Sequence, residues 1–227
     1  NGYALYVPRL FKHVHTSVCA DQRRALEVSD IGNLLCETEK ASTCGSLPIE
    51  LQTTKNIFAL MFLLRGIPFV DLAYLRKADI QGNTLRYRRR KTGRLLTVML
   101  TPDAMKLIRI VAKTKPESPY LFPFLSSPEG TEAAYHEYQS SLRMFNYRLS
   151  RLKKYMKTAA HLSSYTIRHT WATMAYYCEI HPGIISEAMG HSSIKVTETY
   201  LKPFQNEKID NANSQVISYV KEYASIV

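Results

Sequence analysis

The sequence predicts a mainly α-helical chain with one small antiparallel β-hairpin, an α+β arrangement. Three observations lead there. Apolar residues recur at helical spacing over most of the chain. The period shortens to two only around Lys91-Thr92-Gly93, where Leu85 and Tyr87 precede the turn and Leu96, Val98 and Leu100 follow it. A hydrophobic content of 45% over 227 residues suits one large domain, or two small ones, with a real core.

Residues 1–20 carry two glycine/proline breaks and no sustained period, so they read as a linker or the remnant of a missing N-terminal domain. The start at Asn1, without a methionine, fits a fragment. A helix is expected from Asp30 to about Glu39, capped by Ser29, with Ile31, Leu34 and Leu35 on one face. A loop follows from Ala41 to Pro48. Glu50–Leu64 is a strong helix with little polar surface late in it, central to the core and ended by Gly66 and Pro68. Pro68 suits the first turn of the next helix, Phe69–Leu75.

After the hairpin (Asn83–Arg90 and Arg94–Leu100), Thr101-Pro102-Asp103 starts a helix to about Lys113. Lys115–Pro128 is a proline-punctuated connection with an apolar piece at Tyr120–Phe124. Glu132–Thr158 is one long helix, basic in its second half. Shorter helices are expected at Thr166–Cys178, Pro182–Met189 and Ile194–Tyr200, then an amphipathic one at Lys208–Tyr223. The organisation is therefore 1–20 linker, 21–205 main domain and 206–227 C-terminal helix.

Thirty Lys and Arg against 19 Asp and Glu give a net charge of +11, which points to a polyanionic partner. The four cysteines have neither zinc nor redox spacing, and no signal peptide precedes them, as in a reduced intracellular protein. No apolar run reaches the roughly 20 residues of a membrane span, so no membrane partner is expected.

The chemistry concentrates between Ser163 and Tyr200. Tyr165 and Arg168 share a helix face at i, i+3. An arginine there offers a planar fork that fits phosphate oxygens. Gly190 breaks the preceding helix and leaves His191 on a loop, where it can donate to a phosphate oxygen or titrate; Ser192 or Ser193 can cap the next helix. Tyr200 follows nine residues after His191. A free phenol has a pKa near ~10, so about one molecule in a thousand is ionised at pH 7. A positive site holding the target phosphate supplies the help it needs. Lys91 stands at the hairpin tip, where a lysine can reach a DNA groove or protonate a leaving alkoxide.

Arg-His-x-x-Ala-Thr from Arg168, then Gly-His-Ser-Ser-x-x-x-Thr-x-x-Tyr from Gly190, after a Lys-Thr-Gly hairpin, resembles the catalytic domain of the tyrosine recombinases, or phage-integrase family. The likeness is greatest to integrases of bacterial mobile elements. It covers nearly all of residues 21–205 and is tightest in the C-terminal half.

The resemblance implies Tyr200 as nucleophile, Arg168 as second clamp arginine and His191 as the late histidine on the scissile phosphate. Lys91 becomes the lysine that assists the 5′-hydroxyl leaving group. Tyr165 stands where many relatives have a first histidine, and His169 packs or orients. The family's Gly-x-Arg-x-x-Glu frame reads Gly66-Ile67-Pro68-Phe69-Val70-Asp71 here, with proline in place of the first clamp arginine. Two residues can substitute. Arg65 lies about one helical turn earlier and is favoured; Arg89 lies two residues before Lys91 on the same strand face.

DNA-backbone contacts are expected from Arg86, Arg88, Arg90 and Arg94 on the hairpin and from Arg148, Arg151 and Lys154 on the long helix. The resemblance further implies a site-specific DNA recombinase or integrase that works through a 3′-phosphotyrosine link with no cofactor or metal. Its partner is double-stranded DNA, on which it forms a homotetramer while monomeric when free, in a bacterial cytoplasm at the nucleoid. The rival readings are a type IB topoisomerase and a non-catalytic DNA-binding relative. The last helix either packs on its own domain or docks on a neighbouring protomer.

Overall fold

The computed structural model describes residues 25–36, 47–114, 116–156, 158–201, 204 and 206–224. The expectations for residues 1–20, most of the 41–48 loop and the end of the first helix lie outside these residues.

Helix α2 (Ile49–Leu63) is the centre of the core. Leu51, Phe58, Ala59, Leu60 and Met61 are buried, and so are the polar Thr54, Lys55 and Asn56, because the helix is covered by α4 (Pro102–Val111), α5 (Glu132–Met156) and α6 (Thr166–Tyr177). Helix α5 contributes Phe145, Leu149 and Leu152 to this core, and α1 (Val28–Cys36) adds Ile31 and Leu34. A smaller cluster joins Ala172 and Ala175 of α6 to Ile185 and Met189 of α7 (Pro182–Met189), with Trp171, Tyr176 and Tyr200 packed on it.

Residues 80–99 form a three-stranded antiparallel sheet in the order β1 (Ile80–Gln81), β2 (Thr84–Arg88) and β3 (Leu95–Met99). The expected hairpin is present, with Tyr87 opposite Leu96 and Arg88 opposite Leu95. Strand alternation sends Leu85, Tyr87, Leu96 and Val98 to the core while Arg86 and Arg88 face outward. Arg89 continues the inward series and is itself buried.

Several boundaries differ from expectation. Helix α1 begins at Val28, so Ser29 lies inside it rather than capping it. Pro68 occupies the N-cap position of α3 (Phe69–Ala73), just ahead of the first turn. Helix α8 (Ile194–Glu198) starts after Ser193, whose side chain makes no capping bond, and it stops before Tyr200, which lies in the following turn. Thr101 does cap α4, accepting from the Ala104 amide at 3.2 Å. Helix α9 (Asn206–Ala224) is anchored at its start, where the Lys208 ammonium donates to the Tyr177 carbonyl at 2.8 Å. Its Ile209, Val216, Ile217 and Val220 are exposed, so they do not pack on the described part of the domain.

Among the described residues, no helix is long and apolar enough to cross a membrane.

Candidate active site

The site forms where the hairpin, the end of α2 and the start of α6 meet the loop after α7. Arg168, in the first turn of α6, is 2% exposed. Its guanidinium donates to the Gly66 carbonyl at 2.9 Å and to the Met189 carbonyl at 2.8 Å, and it lies 2.8 Å from His191 Nε2. Gly66 must be a glycine here: it has φ +66°, and a Cβ would meet the Arg168 Cα at 3.0 Å.

Helix α7 ends at Gly190 in the left-handed conformation, which leaves a row of unsatisfied carbonyls. The hairpin supplies a donor to each in turn. Arg89 Nη1 donates to Met189 at 2.8 Å, Thr92 to Gly190 at 3.1 Å and Arg94 to His191 at 2.5 Å. The cationic donors also suit the negative end of the helix dipole. The approach is so close that a Cβ on Gly190 would meet Arg89 Cγ at 2.9 Å. This clasp fixes the hairpin tip against the histidine loop.

Arg89 shares the Met189 carbonyl with Arg168, so two guanidinium groups converge. Behind Arg89, its Nε lies 2.8 Å from Asp71 Oδ2 in an ion pair whose side chains are 6% and 0% exposed. The Nε–Oδ2 contact is close but poorly aligned as a hydrogen bond. Asp71 Oδ1 accepts from the Arg90 amide at 2.9 Å. Burial pushes the Asp71 carboxyl up, and the Arg89 charge opposes this. Burial pulls the Arg168 guanidinium down from its usual value, and repulsion from Arg89 adds to it. Two cations thus converge over one buried carboxylate, which leaves surplus positive charge for an anion to neutralise.

Arg65 sits beside this pair without joining it. It has φ +60°, an unusual conformation for a residue with a Cβ, and its half-buried side chain forms no hydrogen bond or ion pair with other described residues. Burial pushes the Tyr87 phenol up, and Asp71 adds to this, while the charges of Arg89, Arg168 and Arg65 act in the other direction.

At the other end, the Tyr200 and Tyr165 hydroxyls are 2.9 Å apart. The Tyr200 ring is stacked 4.9 Å from His191 and lies 4.5 Å from His169. Thr173 holds the Tyr200 carbonyl at 3.1 Å. Burial raises the Tyr200 phenol and the bond to Tyr165 raises it further, against the charge of Arg168. The phenol is therefore neutral at pH 7. His191 is buried and pushed down to about 3, by burial first and then by Arg168, Arg89 and Lys91. Its Nδ1 lies 2.8 Å from the Thr197 hydroxyl.

The structure thus brings Tyr165, Arg168, His191, Tyr200 and Arg89 into one cluster. Lys91 is exposed at the hairpin tip, and its charge reaches His191. The other basic candidates divide. Arg86 faces solvent, whereas Arg88 donates to the Gly93 carbonyl at 3.1 Å. Arg90 pairs with Glu129 and lies 3.8 Å over the Tyr74 ring. Arg94 remains exposed although it grips the His191 carbonyl. On α5, Arg151 and Lys154 are exposed, while the Arg148 Nε is buried without a hydrogen-bond partner among the described residues. Thr92 and Thr197 both stand inside the motifs quoted above without a chemical role; the fold gives Thr197 the His191 ring six residues earlier and Thr92 the Gly190 carbonyl across the hairpin clasp.

Residues 32–207 match the phage integrase family. Solved structures are similar too. The XerA recombinase superposes with a TM-score of 0.58 at 16% identity, over 84% of this chain and 64% of that one. The XerH site-specific recombinase, bound to a palindromic difH substrate, gives 0.57 at 16% over 84% and 52%. The Tn1549 transposon integrase, in complex with transposon right-end DNA, gives 0.56 at 14% over 85% and 66%. The chain therefore spans about half to two thirds of the length of these proteins, and at such identities the likeness speaks for the fold. Comparison with curated proteins gives no match. The fold is that of tyrosine recombinase catalytic domains, as expected, and the chain belongs to the phage integrase family.

Proposed function

We propose that this chain is the catalytic part of a site-specific DNA recombinase that cuts and rejoins strands through a 3′-phosphotyrosine link. The observation that carries the reading is the convergence of Arg168 and Arg89 beside His191, with the Tyr200 ring stacked on that histidine. A scissile phosphate fits the surplus positive charge of this site. Tyr200 Oη attacks phosphorus in line, the P–O5′ bond breaks, and the phosphate stays on the tyrosine. The phenol proton leaves toward solvent past Tyr165, and Lys91 supplies a proton to the departing 5′-oxygen. A 5′-hydroxyl from a second duplex then attacks the phosphotyrosine and restores the phenol. The bond energy is kept in the intermediate, so strand exchange is balanced without nucleotide hydrolysis.

Arg89 is the better candidate for the first clamp arginine. It shares a carbonyl with Arg168 and has Asp71 behind it, whereas Arg65 has neither contact. The clamp acts by electrostatic stabilisation of the pentacovalent phosphorane. Double-stranded DNA as partner follows from the net charge of +11 and from the DNA in the XerH and Tn1549 structures. Arg86, Arg151 and Lys154 are free to meet its backbone. The exposed apolar residues of α9 suit docking on a neighbouring protomer in a DNA-bound tetramer, in a bacterial cytoplasm.

A nicked suicide duplex carrying the crossover site tests the reading. The wild-type protein is expected to form an adduct that survives denaturing electrophoresis, and Tyr200→Phe to bind the same DNA without one. An adduct from Tyr200→Phe would overturn the assignment.

A further inference from the structure

His191 cannot hold its proton on either nitrogen at will. Arginine is a donor only, so the 2.8 Å contact between Arg168 Nη2 and His191 Nε2 requires a lone pair on Nε2. The ring is neutral, so its one N–H is on Nδ1. That N–H points 2.8 Å to the Thr197 hydroxyl, and Thr197 is fully buried, so no water replaces it. Thr197 is also three residues before Tyr200, on the helix whose end delivers the phenol.

We infer that Thr197 is a positioning residue that sets the tautomer and ring orientation of His191, and through that ring the seat of Tyr200. This deepens the proposed recombinase reading and rests on it. A hydroxyl can do what neither a carboxylate nor a methyl group can. It accepts from Nδ1–H while Nε2 receives Arg168. It can also turn and donate to Nδ1. That state is reached when the site opens to admit DNA: Nε2 takes a proton from water, Nδ1 gives its own proton to water, and Nε2–H then donates to a phosphoryl oxygen after Arg168 has moved its bond to the phosphate. The buried hydroxyl therefore permits both states of the histidine without leaving a nitrogen unpaired. The imidazole stacks on the Tyr200 ring at 4.9 Å, so a ring held in one plane also holds the nucleophile.

Two variants and two readouts test this. In the free wild-type protein, the nitrogen chemical shifts of His191 should report the Nδ1–H tautomer. Thr197→Ser should keep that signature and cleave the suicide duplex within about threefold of wild type. Thr197→Val has nearly the same shape but no hydroxyl. It should lose the single-tautomer signature and slow adduct formation by on the order of 10- to 100-fold, as for other residues that orient a functional histidine from behind, with little change in the DNA concentration needed for half-saturation. An Nε2–H tautomer in the free protein, or a Thr197→Val variant with wild-type shifts and rate, would overturn the proposal. If Thr197→Val fails to fold, a Thr197→Ser protein with altered shifts and a slowed rate would do so as well. A wild-type protein that forms no adduct contradicts the recombinase reading, while its nitrogen shifts still decide the tautomer claim.

Discussion

The proposed clamp arginines and the proposed nucleophile occupy neighbouring space in opposite surroundings. Arg168 and Arg89 are almost fully buried, and each is held by at least two partners on other segments. Tyr165 is 44% exposed, Tyr200 is half-buried, and their mutual bond lies at the surface. The difference separates two tasks. Electrostatic stabilisation of a phosphorane requires donors whose position is settled before DNA arrives. A nucleophile that must leave its resting bond and reach phosphorus needs a contact that can break. On the proposed reading the positive end is the scaffold, Arg168 exchanging only its contact with His191 for the phosphate, and the phenol end is the moving part.

The comparison breaks first at the clamp. Arg168→Ala should slow adduct formation by about 10²–10³, the usual effect of losing one charged contact to a transition state. Arg89→Ala should do the same and also unfold more easily, because it strands Asp71 as a buried charge, at a cost of about 3–5 kcal/mol. Arg65→Gly should leave the rate within about threefold and raise the melting temperature slightly, since glycine accepts φ +60° without the penalty of a Cβ. Single-turnover rates and thermal melts of the three variants read this directly, and the reverse order of Arg89 and Arg65 would make Arg65 the clamp.

At the phenol end the expected change is smaller and shows in pH. The bond from Tyr165 adds to the burial that raises the Tyr200 phenol, so Tyr165→Phe removes an upward influence and leaves that of burial. The alkaline limb of the cleavage rate should therefore move to lower pH in this variant; a shift to higher pH would contradict the assigned role.

His191 gives a second pH signature, in stability. Its folded value, about 3, lies below the ordinary 6.5, so the unfolded chain takes up a proton that the native site refuses. Stability should fall as pH drops from about 6.5 toward 3, and His191→Asn should flatten that part of the curve by at most one proton. The mildest effect is expected on the surface. Replacing Arg151 and Lys154 together by alanine should reduce the salt dependence of DNA binding by about two phosphate contacts while sparing the rate at saturating DNA.

Much of this site was legible because it is local. Tyr165, Arg168, His191 and Tyr200 follow one another along short helices whose periods and breakers are plain in the sequence, and the cluster forms where that spacing implied. The choice between Arg65 and Arg89 was harder. Counting one helical turn back from Pro68 favours Arg65, but α2 ends at Leu63 and Arg65 stands in a left-handed turn, so the helical count does not apply. Strand alternation was expected to put Arg89 on the face of Lys91, but β2 ends at Arg88: Arg89 follows Leu85 and Tyr87 inward and is buried, while Lys91 in the turn is exposed. The clasp of Arg89, Thr92 and Arg94 on three successive carbonyls was not legible, because it joins segments about a hundred residues apart. The same holds for the basic residues expected at DNA: Arg88 and Arg90 have local acceptors that only the folded chain reveals.

The central claim is that Tyr200, not the tyrosine hydrogen-bonded to it, carries the DNA. Tryptic digestion of the wild-type adduct, followed by nuclease trimming and mass spectrometry, tests it. Trypsin separates the two candidates, leaving Tyr165 in residues 158–168 and Tyr200 in residues 196–208. A phosphonucleotide on the 196–208 peptide is the predicted result; the same mass on the 158–168 peptide would contradict the account.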